Sequence, residues 1–203
     1  MTKTPLNQLL SNQFLIFSFI KEKLEVVNFI RWGYDNNLPV LINNRFLHSV
    51  AHIYYRSVIV ETCTLFDDHK HQSNNFYLLV KPDKKFIREL SPATITLIMQ
   101  KLVEAEVYFT DELRDIRNEE VSHFRFKERT VISLNTKFLK ELNLLLKIAE
   151  DIIDTATNGQ VDQTLVAAYF TNRTSDALHS LQRLLHDGDG FDYYNVWQKE
   201  RPF

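Results

Sequence analysis

Apolar residues recur through most of this chain three and four positions apart, the interval that lines one face of a helix. From residue 5 to about 36, Leu10, Phe14, Phe17, Leu24 and Val27 keep mostly helical spacing, and "GYDNNLP" supplies a glycine and a proline as stop signals. A second helix is expected from about Ile42 to Asp67, with Phe46, Val50 and Ile53 on its apolar face and a β-branched middle. Residues 68–86 read as a connecting loop with a short helical turn around Phe76 to Leu79.

Ser91 and Pro92 then form a helix start, an N-cap oxygen followed by a proline in the first turn. Ile95, Ile98, Leu102, Ala105, Phe109, Leu113 and Ile116 follow at threes and fours, predicting one long amphipathic helix. Phe138, Leu142, Leu145, Ala149, Ile152 and Ala156 repeat the spacing up to a stop at Asn158-Gly159. A last helical region is expected from Val161 to about His186, interrupted at "TNRTS", before an aromatic C-terminal tail over 187–203. The pattern predicts an all-α fold, an up-and-down bundle of about five to six helices in a single domain spanning 1–203.

Composition sharpens this picture. Four glycines and five prolines among 203 residues, with 15 phenylalanines, favour long helices over short strands joined by turns. The single cysteine, Cys63, cannot form an intrachain disulfide, which suits a reducing cytoplasm. A net charge of -2 excludes coating of nucleic acid by bulk attraction and leaves room for a local basic patch. The apolar run at residues 14–20 is too short to span a bilayer, so no membrane partner is expected.

Candidate chemistry concentrates at "RDIRNEEVSHF", residues 114–124, where a polar run closes the long amphipathic segment. Arg117 is a permanently charged fork suited to a phosphate, and His123 at a helix C-terminus is suited to proton transfer. At about 100° per residue the two would diverge by roughly 120° on one regular helix. They meet only if the helix unwinds near Val121 and Ser122 or if a second copy supplies the partner group. On a continuous helix His123 would align with Phe109 and Ile116. A plainer alternative is a solvated helix end, with Arg117 paired to Glu119 or Glu120 and His123 capping carbonyls.

At these residues the chain resembles the HEPN superfamily, most closely its AbiU2-like abortive-infection branch. The resemblance rests on "RNEEVSH" (117–123), "CTLFDD" (63–68) and "NNFYLLV" (74–80), and covers about residues 40–156. It implies a helical bundle that forms a homodimer, with the arginine and histidine of both chains facing a shared cleft, and metal-independent RNA cleavage without a cofactor. By position, it implies Arg117 and His123 as the catalytic pair, Asn118 as the adjacent polar group and Asp67 as a supporting residue. Two departures stand out: "HFRF" follows the histidine where the branch often has an aspartate, and "NNF" replaces a serine-leucine pair.

Beyond the motif, "HFRFKER" alternates aromatic and basic side chains, making Arg125, Lys127 and Arg129 candidate RNA contacts, although a solvated loop explains the run equally well. "DDHKH", residues 67–71, holds metal-ligand types at an unspecific spacing and is read as a solvated loop, so no metal site is expected. No phosphate-binding glycine loop, dinucleotide fingerprint, zinc-finger spacing or nucleophile elbow occurs. Two function classes remain. One is a small endoribonuclease of phage defence or toxin type, with an antitoxin protein as possible partner. The other is a non-catalytic helical dimer that binds RNA, a nucleotide or a protein.

Overall fold

The computed structural model describes residues 5–68, 72–81, 89–122, 136–158 and 193–200. Its elements are α1 (Pro5–Asp35), α2 (Pro39–Ile42), α3 (Arg45–Phe66), a 3-10 turn (Phe76–Leu79), α4 (Pro92–Glu106), α5 (Asp111–Ser122), α6 (Thr136–Thr157) and α7 (Tyr193–Glu200). The fold is an all-α helical bundle, and the described residues contain no strand. The helical region expected over 161–186 lies outside the described residues. By contacts the chain divides into two compact units, one built from residues 1–21 and 56–161, the other from 22–55 and 162–203.

In the first unit α4 packs on α6 and on the 3-10 turn. Ser91 caps α4 as its spacing predicts, its hydroxyl accepting from the Thr94 amide at 3.1 Å, with Pro92 in the first turn. Ile98, Leu102 and Ala105 on α4, and Phe138, Leu142, Leu145, Ala149, Ile152 and Ala156 on α6, are all buried. At the rim of the seam Lys101 bonds Asp151 at 2.8 Å and Glu104 at 3.1 Å, and these two carboxylates hold its ammonium above its ordinary range. α6 ends where expected: Asn158 takes a left-handed φ of 51°. The loop before the 3-10 turn is tied to α1 by buried amides, since Gln13 Nε2 donates to the Asn75 carbonyl at 2.9 Å. Asn75 Oδ1 in turn accepts from the Leu78 amide and caps the turn.

The long helix expected from Pro92 through Ile116 is two helices, with a turn over 107–110. The apolar spacing does run through the turn, and Phe109 and Leu113 are buried on either side of it. Local chemistry decides the break: Thr110 offers its carbonyl to Arg114, and Asp111 and Glu112 place negative charge in a fresh first turn, where a helix N-terminus favours it.

In the second unit, α1 ends in a Schellman motif. The Leu38 amide donates to the Gly33 carbonyl at 2.9 Å, the Asn37 amide to Tyr34 at 3.0 Å, and Asn37 has φ 53°. Gly33 serves packing rather than termination, because a Cβ there would stand 1.9 Å from Leu41 Cδ1. Buried Trp197 of α7 meets Phe29 edge-on at 5.3 Å, and Trp32 Nε1 donates to Glu200 at 3.1 Å. α3 reverses its expected face here: Leu47, Ala51 and Tyr55 are buried, whereas Phe46 is 68% and Ile53 63% exposed. The helix carries two apolar stripes, and the core takes the one beside the expected stripe.

Substitution should separate the seam from the surface. Ile98→Ala and Leu145→Ala each remove a fully buried side chain and should cost about 2–5 kcal/mol in urea unfolding. Val103→Ala, on the exposed face of α4, should stay within about 0.5 kcal/mol. Equal tolerance of all three would contradict the α4–α6 core.

Candidate functional site

The site grows from the end of α3. Thr62, Cys63, Leu65 and Phe66 are buried there, and the Asp67 amide closes the last turn on the Cys63 carbonyl at 2.9 Å. Phe66 meets Phe76 of the 3-10 turn edge-on at 5.3 Å and Phe109 of the α4–α5 turn at 6.3 Å. This aromatic cluster fixes the end of α3 against the segment that leads into α5. Leu113 is buried, and Arg117, one turn later on the same face of α5, points the same way.

Arg117 Nη1 pairs with Asp67 Oδ2 at 2.8 Å, and the side chains are only 17% and 15% exposed. Asp67 follows a helix C-terminus, whose carbonyls carry partial negative charge, so a carboxylate there needs a cation beside it. Arg117 supplies it. Its Nε–H is buried and has no hydrogen-bond partner among the described residues. This partner stands 50 residues away in sequence, at the end of another helix. Asn118, next to it, is exposed.

Cys63, one turn before Asp67, lies beside the pair. Its thiol points to the Leu113 carbonyl, Sγ to oxygen 3.8 Å. Burial pushes the thiol up to about 12, Asp67 adds to the rise, and Arg117 and Arg114 oppose it. Arg114 is engaged elsewhere, over the Phe109 ring at 4.5 Å and paired with Asp111 at 2.6 Å. Neither Cys63 nor Arg114 was a candidate by motif. The one-turn interval from Cys63 to Asp67 is the only sequence signal that places the thiol near the pair.

α5 stays helical through Val121 and Ser122, the positions at which unwinding would bring Arg117 and His123 together within one chain. His123 itself, Arg125, Lys127 and Arg129 lie outside the described residues, as do three residues of "DDHKH", His69 to His71. Of that run, Asp67 pairs with Arg117, and Asp68 with Lys81. Among the described residues no group of three or more histidine, cysteine or acidic side chains could hold a metal ion. No described helix is long and apolar enough to cross a membrane.

What the pair offers chemically is a guanidinium fixed at one nitrogen, with further N–H groups on a rigid plane suited to an oxyanion. No family model matches this chain. Nor does any curated protein or solved structure.

The thiol gives a pH test of this packing. Its folded value of about 12 lies above its ordinary 9.0, so above pH 9 the unfolded chain releases a proton that the folded chain keeps. Stability should thus fall as pH climbs from 9 toward 12, by at most about 1.4 kcal/mol per pH unit from this group. Urea melts of Cys63→Ala should show a shallower alkaline slope than the wild type, whatever its stability at neutral pH. Equal slopes would mean that the thiol is not buried beside the pair.

Proposed function

We propose that this chain is a metal-independent endoribonuclease of the HEPN type, acting as a homodimer in the cytoplasm, in phage defence or as a toxin held by an antitoxin protein. The observation that carries the reading is the Arg117–Asp67 pair, a nearly buried guanidinium held at 2.8 Å and six residues ahead of His123. An arginine serving only solubility has no need of such a partner.

RNA brings its own nucleophile, so the protein needs to move protons and stabilise charge. His123 of one chain takes the proton of the 2'-hydroxyl as that oxygen attacks phosphorus. The bond from phosphorus to the 5'-oxygen breaks, and the His123 imidazolium of the other chain gives that oxygen a proton. Arg117 neutralises the phosphorane, Asp67 keeps its guanidinium oriented, and Asn118 offers an adjacent hydrogen bond. The continuity of α5 through Ser122 favours a second chain as the source of the second proton-transfer group.

A second reading, a non-catalytic dimer that binds RNA, a nucleotide or a protein partner, draws support from α4. Met99 and Val103 there, with Val107 just past the helix end, form one exposed apolar stripe, 53%, 65% and 72% accessible.

Purified protein with total RNA separates the two. Cleavage should persist in chelator, leave 2',3'-cyclic phosphate ends and spare a substrate without the 2'-hydroxyl at the scissile nucleotide. His123→Ala should lower the rate by about 10²- to 10⁴-fold without unfolding the protein. Chelator-sensitive cleavage that survives His123→Ala would refute the mechanism. RNA left uncut, but bound in a manner lost with Arg117→Ala, would establish the second reading.

A further inference from the structure

Residues 36–60 hold no aspartate or glutamate, although the chain has 26 in 203 residues. The same stretch carries Arg45, Arg56, His48, His52 and four asparagines. Asp35, the last acid before it, is already paired with Arg31 at 2.7 Å. In a chain of net charge -2, attraction for a polyanion has to be local, and this stretch is the longest in the chain without a repelling carboxylate.

The first turns of α3 display that composition to solvent. Asn44 caps the helix, its Oδ1 accepting from the Phe46 and Leu47 amides at 3.1 and 3.2 Å, which fixes where the next side chains point. At about 100° per residue, Arg45, Ser49 and His52 fall within roughly 60° of one another, with Phe46 and Ile53 along one flank. Arg45, Phe46, Ser49 and Ile53 are exposed, Phe46 by 68%. On the other flank His48 stacks on His52 at 5.3 Å and is met edge-on by Tyr34 at 5.2 Å. Exposed Asn43 joins Arg45 and Phe46 around a shallow, open depression.

We infer that this face of α3 is a contact surface for an unpaired RNA strand, with Phe46 stacking on a base, Arg45 bonding a phosphate and Asn43 reaching a base edge. The inference rests on the reading that RNA is the substrate, and it names unpaired RNA as the form taken. An exposed aromatic ring beside a cation and amides matches a single strand, whose bases are free to stack. Duplex RNA buries its base faces and would leave Phe46 without a partner. Asn43, Arg45, His48 and Ser49 are all exposed alongside the Phe46, Val50 and Ile53 stripe, the mixture of polar and aromatic groups that phosphates and bases require.

The test is fluorescence anisotropy of the full chain carrying His123→Ala, so that the probe survives. The probe is a labelled, unstructured oligoribonucleotide of about a dozen nucleotides, beside the same strand in a duplex. Phe46→Ala should weaken single-strand binding roughly 5- to 150-fold, Phe46→Trp should restore it, and Arg45→Ala should reduce the salt dependence by about one counterion. Both positions are exposed, so circular dichroism and melting should match the parent. Unchanged affinity in Phe46→Ala and Arg45→Ala, or equal affinity for the duplex, overturns the proposal. So does self-association that Phe46→Ala abolishes while RNA affinity stays unchanged, since the face would then dock protein. If the chain bearing His123 cuts no RNA yet binding still depends on Phe46, the ribonuclease reading fails and this one stands; cleavage with Phe46-independent binding means the reverse.

Discussion

The Arg117–Asp67 ion pair is the contact on which the candidate site depends. It joins the end of α3 to the last turns of α5 over 50 residues of sequence, and it fixes the direction of the Arg117 guanidinium. Removing two charges from water is costly, and a hydrophobic pair of the same shape often stabilises a fold as well or better. Holding Arg117 in this environment therefore calls for a reason other than stability. Fixing the orientation of its guanidinium is such a reason.

The surroundings make the pair possible. Phe66, Phe76 and Phe109 bring three chain segments together, so that the end of α3 and the start of α5 have little freedom to separate. Cys63 and Leu113 fill the space beside the ions and exclude water, which strengthens the attraction and keeps the thiol protonated. The break between α4 and α5 belongs to the same arrangement. It turns Phe109 into the cluster and lets α5 start afresh, with its own acidic first turn.

The sequence was most legible where a single apolar stripe met a strong stop signal. α6 shows this best: its six apolar positions are all buried and Asn158 ends it. The start of α4 at Ser91-Pro92 and the 3-10 turn at 76–79 were readable for the same reason, local chemistry that needs no distant partner. The turn at 107–110 was hidden because buried residues keep helical intervals across it. α3 misled by carrying two apolar stripes, and only packing selects Leu47, Ala51 and Tyr55 over Phe46 and Ile53. In the site, Arg117 was legible from its motif and Asp67 only through a family resemblance, because spacing cannot pair groups 50 residues apart. The acid-free stretch over 36–60 was readable in the sequence, but its meaning depends on which face of α3 reaches solvent.

Asp67 and Arg117 act as one unit, and a double-mutant cycle measures that directly. Unfolding free energies would be compared for the wild type, Asp67→Asn, Arg117→Met and the double variant. A coupling of about 1–3 kcal/mol is predicted, because either single change leaves the other charge nearly buried and uncompensated. Additivity within about 0.5 kcal/mol would show that the two side chains do not share an interaction, and the account of the site would be wrong.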